Sequence, residues 1–477
     1  MRRGLLLLAL LASACATLPR ADLGTSPPEL AHWRDAVNGP DAGAEAVQLL
    51  SGYLQVNTAN PPGNETLGAQ YLAGLLQKAG ISSEITEFAP GRGSLIARLK
   101  GDGSEKPLCL LSHIDVVPAE AKNWAQPPFS GYIDDHGVIW GRGALDMKGM
   151  GLLETLTLIW LKRLNVPLKR DVVLLAVADE EVDNRGMQHI VAKYWPQIDC
   201  SQVVNEGGMG IRDAMAPGQT IFAISVAEKG LLWLKMIAHG KAGHGSTPIP
   251  GRAPDRLLDA LAKIRARHPE AVWQASTRET LAQVGHEVGG VTGYVLTRPT
   301  LQDWLAEGQL MQNPGTRAAM IDTVNVTGFG GAEEPNVVPA EVWAQLDCRL
   351  LPGHKPAELL AELVKLVDDK QVRFEVLYQA EANASTWDDP FYRALARHAI
   401  AGKHNAVVGP VLSPGFTDSL RLRPLGVRAY GFVPFATTQD ETGGMHGENE
   451  RVSSENVRDG LRVLFSAVVD VAALPGR

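Results

Sequence analysis

Two short apolar runs, Pro107–Ser112 and Asp171–Ala178, limit the fold of this chain more than any other feature. Each is too brief for a helix and apolar almost throughout, so each reads as a strand buried on both faces. Between them Met147–Leu164 carries a helical pattern, and Val203-Val204 looks like the end of a third strand. Upstream, a helical pattern begins near Ala44, a second helix covers Leu67–Lys78, and Ile85–Leu99 reads as strands. Strands alternating with helices imply an α/β fold, a mostly parallel mixed sheet covered by helices on both faces.

The pattern changes near Lys229-Gly230. Leu231–Ala238 reads as a strand, Pro254–Arg265 as a helix, and Thr323–Phe329 and Glu341–Leu350 as two further strands. Helix Ala357–Asp368 and strand Val372–Tyr378 complete a βαββαβ-like set, and the earlier alternation returns after Ser385 through Leu464–Val469. A chain of 477 residues exceeds what one hydrophobic core can serve. The economical reading is a catalytic domain in two parts, 44–229 and 385–474, interrupted by an inserted α+β domain at 230–384. Residues 268–320 match no element pattern, and the Pro-, Gly- and Ala-rich residues 17–42 read as a tether.

Arg2 and Arg3 precede the apolar run Leu5–Ala12 and the small residues Ser13, Ala14, Cys15 and Ala16, an export signal within residues 1–22. The run is about half of the ~20 residues a spanning helix needs, and no other segment is long and apolar enough, so no transmembrane span is expected. Ala12-Ser13-Ala14 before Cys15 fits a lipoprotein cleavage box that would leave Cys15 lipidated, while Ala12-x-Ala14 fits an ordinary signal peptidase equally well. Periplasmic, outer-membrane-anchored and secreted fates all stay open. A net charge of -8 argues against nucleic acid as a partner. Cys109 and Cys348 sit in strand-like runs where a thiol is most often a small buried hydrophobe, and with Cys200 they cannot all pair. Disulfides are not expected to carry the fold.

Chemistry-bearing residues gather at the ends of the strand-like runs. His113-Ile114-Asp115 follows the first, Glu180-Glu181 the second, and Glu206 follows Val203-Val204. Asp146 closes the Gly-rich turn Gly141–Leu145, and His446 follows the apolar run Val427–Val433. Singly, each has a plain explanation: a surface histidine, a helix N-cap, a solvated acidic pair. Several such clusters at the ends of different strands are another matter, because open α/β sheets bind their ligands there. Imidazole nitrogens and carboxylate oxygens both suit zinc. No P-loop, H-E-x-x-H or G-x-S-x-G motif is present.

As a set, His113-x-Asp115, Gly141-Arg142-Gly143 with Asp146–Gly149, Glu180-Glu181, Asn205-Glu206-Gly207 and His446-Gly447 resemble the metal motifs of one family. It is the zinc exopeptidase family of acetylornithine deacetylase, succinyl-diaminopimelate desuccinylase, aminoacylase and carboxypeptidases G and S. Asn60–Gly63, Trp124–Gly131 and Glu206 bring the chain nearest the carboxypeptidase S-like branch. The resemblance implies two Zn2+ per subunit, in sites that Co2+ or Mn2+ also suit. Asp146 would bridge them, His113 and Glu206 would complete one, and Glu181 and His446 the other. It further implies Glu180 as general base, Asp115 orienting His113, Glu450 supporting His446, and a cis Asp146–Met147 peptide. His244, in Ala242–Ser246, would supply an oxyanion donor from the inserted lid/dimerisation domain across a homodimer. Arg349, after Asp347-Cys348, and Asn336, before Val337-Val338-Pro339, would hold the substrate's carboxylate, although Asp347 could equally pair with another cation. Ser413–Asp418 would border the pocket, with Phe416 where relatives often carry Gly.

The implied activity is hydrolysis of an amide beside a free carboxylate in a small peptide or N-acyl amino acid. A two-zinc aminopeptidase or dipeptidase would share the metal set but read a free amine. A non-catalytic binding lipoprotein would have lost a ligand or the base, and this sequence retains them all.

Overall fold

The computed structural model describes residues 17–475 apart from 216, 248, 332 and 333. Most of the expected export signal, with Cys15, lies outside the described residues. The strand Leu108–His113 runs through the centre of an eleven-stranded mixed sheet. It pairs in parallel with Val172–Val177 on one side and Gln202–Asn205 on the other, and Arg428–Gly431 continues the parallel set. Gly93–Leu99 and Ser83–Glu87 extend one edge in antiparallel sense, and Thr220–Glu228 takes Ala406–Ser413 as a parallel neighbour towards the other.

Successive strand residues point to opposite faces, so a run apolar at every position feeds two cores. Leu108, Leu110, Val172 and Leu174 pack into the larger one, which also takes residues of helices Pro40–Leu54, Lys148–Arg163, Pro390–Ile400 and Ser454–Ala472. Cys109, Leu111, Val173 and Leu175 face Met187 and Ile190 of the helix Arg185–Lys193 on the other side.

A second sheet is wholly antiparallel, in the order Thr323–Gly330, Glu341–Leu350, Gly230–His239, Val372–Ala380. Leu232, Leu234 and Met236 bury one of its faces against Leu257 and Leu261 of the helix Ala253–Arg265 and Leu359 and Leu363 of the helix Pro356–Val367. Where the two sheets join, the buried Lys229 donates from Nζ to the carbonyls of Ala318 (2.9 Å) and Ile321 (2.7 Å).

Three features differ from the sequence reading. Residues 17–42 are not a free tether: Leu30 is buried, and Ser26 Oγ and Arg34 Nη1 donate to the buried Asp470 carboxylate, each at 2.7 Å. Residues 268–320 are largely helical, and Leu281, Val284 and Leu296 pack on Val407 of the main sheet rather than on the inserted one. A disulfide joins Cys109 to Cys200. Cys109 lies opposite Val203 in the parallel ladder, so the chain just before Gln202 brings Cys200 within 5.9 Å, Cα to Cα. Cys348 alone remains a free, buried thiol among the described residues.

Candidate metal centre

The parallel strands carry their functional groups to one edge. His113 ends its strand opposite Val177, and Glu180 and Glu181 follow three and four residues beyond Val177. Glu206 immediately follows Gln202–Asn205. Asp146 arrives on the turn before the helix Lys148–Arg163, through a cis Asp146–Met147 peptide.

Two three-residue groups result, each with ligand atoms within 4.8 Å of one another: His113, Asp146 and Glu206, and Asp146, Glu181 and His446. Asp146 serves both, one oxygen to each. Its Oδ1 lies 3.0 Å from His113 Nε2, and its Oδ2 lies 3.2 Å from His446 Nε2. Glu206 Oε1 is 3.6 Å from His113 Nε2, and Glu181 Oε2 is 3.1 Å from His446 Nε2.

The ring of His113 is held by a neighbour's backbone. Its Nδ1 sits 2.8 Å from the Asp115 carbonyl oxygen, an acceptor only, so Nδ1 carries the proton and Nε2 turns a lone pair to the cluster. The Asp115 carboxylate, its Oδ1 3.8 Å from His113 Nδ1, has a further task. It accepts from the backbone N–H of Glu180 and of Glu181, both at 3.1 Å, and from Asn60 Nδ2 at 2.9 Å. Asp115 therefore fixes the acidic pair.

Among the described residues, Glu450 makes no bond to His446. Fully buried, it accepts from the N–H groups of Gly143 (2.8 Å), Leu145 (2.7 Å) and Asp146 (3.0 Å) and from Arg142 Nη1 (2.8 Å). Arg142 also donates to the carbonyls of Gly444 and Gly447, which tie the Asp146 turn to the His446 loop. His446 adopts a left-handed conformation (φ 55) and leaves 57% of its side chain exposed, so this side of the cluster faces solvent.

The electrostatics call for positive charge. Burial, reinforced by the Glu206 carboxylate, holds the Glu180 carboxyl well above its ordinary range. Burial and Asp146 raise Glu206 to about 7, and burial raises Asp418 to about 8. Glu181 Oε1 is buried without a hydrogen-bond partner. Crowded carboxylates, two imidazole nitrogens and an unpartnered buried oxygen form a donor set that fits divalent cations.

Sequence reasoning missed the support behind the acidic pair. Arg92 chelates Glu65 at 2.7 Å through two donors and pairs with Asp179, whose Oδ1 also accepts from Asn60. On the far side Asn184, with its backbone N–H on the Asp179 carbonyl, donates to the buried Asp418. Asn60 was legible as part of a motif; Arg92 has no local signal.

The remaining candidates lie apart in contact terms. Among the described residues, no hydrogen bond or ion pair joins His244, Asn336 or Arg349 to the five clustered ligands. His244 is exposed on a two-residue ribbon paired with Val337–Val338, and Gly245 N donates to the carbonyl of the neighbouring Asn336 at 2.7 Å. Ser246 N donates to His244 Nδ1 at 3.2 Å, which leaves the ring proton on Nε2. Arg349 itself, and not another cation, pairs with Asp347, through Nε and Nη2, while its Nη1 is buried and unpartnered. Its guanidinium lies 5.4 Å from the Phe416 ring centroid, beside the loop expected to border the pocket.

The model of peptidase family M20/M25/M40 matches residues 109–470. The human N-fatty-acyl-amino acid synthase/hydrolase PM20D1 is 29% identical over 77% of this chain and 74% of its own. Aminoacylase-1 of Mus musculus is 26% identical over 92% of this chain and 98% of its own. Among solved structures, the M20 family metallo-carboxypeptidase Sso-CP2 from Sulfolobus solfataricus superposes with a TM-score of 0.67 at 20% identity, over 90% of this chain and 99% of that one.

Proposed function

The chain belongs to peptidase family M20/M25/M40, a metallopeptidase and amidohydrolase family, and from that premise we propose that it hydrolyses an amide bond beside a free carboxylate. Aminoacylases, carboxypeptidases and a hydrolase of N-fatty-acyl amino acids all have substrates in which the scissile nitrogen belongs to an amino acid with a free carboxyl group. The observation that carries the reading is the division of labour among the carboxylates: two groups share Asp146, and Glu180 stands beside them as a member of neither.

His113, Asp146 and Glu206 would hold one zinc ion, and Asp146, Glu181 and His446 the other. A metal pair, when bound, supplies a Lewis acid for the carbonyl and lowers the pKa of water at the site. Glu180 takes a proton from the attacking water as its oxygen adds to the carbonyl carbon. It returns that proton to the nitrogen as the C–N bond breaks. A carboxyl already raised by burial suits both halves of that cycle. His244, with its proton on Nε2, would donate to the oxyanion from the partner subunit of a homodimer, and Arg349 and Asn336 would hold the carboxylate.

Export through residues 1–22, with Cys15 as the lipid attachment point, is part of the same reading. The Cys109–Cys200 disulfide supports it, since such bonds persist in oxidising compartments.

A substrate series tests the proposal. N-acyl amino acids and N-blocked dipeptides should be cleaved, and amidation of their carboxyl group should abolish cleavage. Unchanged turnover of the amidated substrates, or a requirement for a free amine, would overturn it.

A further inference from the structure

The described chain begins pinned to a helical surface. Leu18 N donates to the Thr297 carbonyl at 2.8 Å, and the Leu18 carbonyl lies 2.8 Å from His286 Nε2. Gln283 clamps the next residues, donating to Pro19 O (3.1 Å) and accepting from Ala21 N (3.0 Å). The helices Ala275–Val288 and Gly290–Leu296 are thus held to the N-terminal segment on one side and to the main sheet, through Leu281, Val284 and Leu296, on another.

Beside the exposed Glu287, Thr292 and Asp303, these helices and the turn Gln302–Ala306 expose several large apolar side chains. Five of the sixteen exposed large apolar side chains fall between Val288 and Leu305: Val288, Val291 (83% exposed), Tyr294, Trp304 (69%) and Leu305 (62%). They flank Thr297 in sequence on both sides, and Gln302 ties the two flanks by donating to the Leu296 carbonyl at 2.6 Å. Arg298 stacks on the Tyr294 ring at 3.6 Å. Apolar side chains concentrated this way on an exposed surface mark an interaction site. Trp and Tyr suit a bilayer's interfacial zone, where one end of the ring is apolar and the other wet.

We propose that this surface rests on a lipid bilayer, to which the N-terminus tethers it. Cys15 precedes Leu18 by three residues, and three extended residues span about 10 Å. A lipid on Cys15 would therefore be attached within about that reach of Leu18, which is bonded to Thr297. The tether rests on the export reading above; the apolar surface does not.

Two measurements separate them. The mass of the mature N-terminal peptide shows whether Cys15 is acylated. Flotation with phosphatidylethanolamine–phosphatidylglycerol vesicles then tests the surface alone, in a Cys15→Ser chain that has no lipid. That chain should still bind. Adding Val291→Gln, Trp304→Gln and Leu305→Gln should weaken binding at least about tenfold, with turnover of a soluble substrate unchanged as the check on folding. Failure of the Cys15→Ser chain to float, or equal flotation of the triple variant, overturns the proposal. So does a change in oligomeric mass without a change in flotation, which would make the patch a protein interface. An unacylated Cys15 with flotation still lost in the triple variant would remove the tether and leave the surface standing.

Discussion

The metal cluster and the His244–Asn336 ribbon are built on opposite principles. Every candidate ligand of the cluster comes from a strand end or turn, and bonds from behind hold two of these turns: Asp115 fixes Glu180 and Glu181, and Glu450 fixes Asp146. The ribbon is held by backbone bonds to Asn336–Val338 and by its own Thr247 and Ser246, and its histidine lies open to solvent. One region is preorganised within a single chain. The other is exposed, and the role proposed for its histidine needs a substrate or a second subunit to meet it.

That contrast predicts graded losses. The largest falls on the shared ligand: Asp146→Ala should release both metals and abolish turnover, as metal analysis of the dialysed protein would show. Retention of one full equivalent would mean that the two groups do not share Asp146. On the ribbon, His244→Ala should keep both metals and cost ~10²–10³-fold in kcat, the worth of one oxyanion donor. Mixing it with inactive Glu180→Gln protein should restore part of the activity after subunit exchange, since mixed dimers hold one intact site. No recovery, with exchange demonstrated by mass, would return His244 to its own chain or remove it from catalysis. A smaller effect belongs to Asp115→Asn, which weakens two backbone bonds without removing a ligand. Supporting residues of this kind cost ~10–100-fold in metal affinity or activity. A metal titration identical to that of the unaltered protein, with unchanged turnover, would show that the acidic pair needs no such anchor.

What was legible in the sequence follows the same division. The strands around the cluster are short, fully apolar runs, and their ends expose His, Asp and Glu in readable order, so the local pattern marked the candidate residues and the family resemblance supplied the ligand roles proposed for them. The support behind them could not. Asn60 reaches Asp115 across 55 residues and Arg92 reaches Asp179 across 87, and neither contact leaves a mark on its own neighbourhood. The Cys109–Cys200 bond was hidden similarly, because the two cysteines approach only through a parallel ladder between strands far apart in the chain. Residues 268–320 were unreadable for another reason: several short helices, one of them a π turn at Gln302–Ala306, interrupt any steady 3.6-residue period. The N-terminal segment looked like coil because it bonds through Ser26 and Arg34 to one buried carboxylate and contributes little apolar pattern of its own.

Five side chains are proposed to hold metal while a sixth, Glu180, moves the proton. Glu180→Gln keeps the shape and removes the base, so metal content and turnover, measured on one preparation, test it most directly. That variant should bind two metals per chain, as in the unaltered protein, with kcat lowered ~10²–10⁴-fold. Loss of a metal in step with activity would make Glu180 a ligand and contradict the division of roles; near-normal turnover with both metals bound would contradict its part in the chemistry.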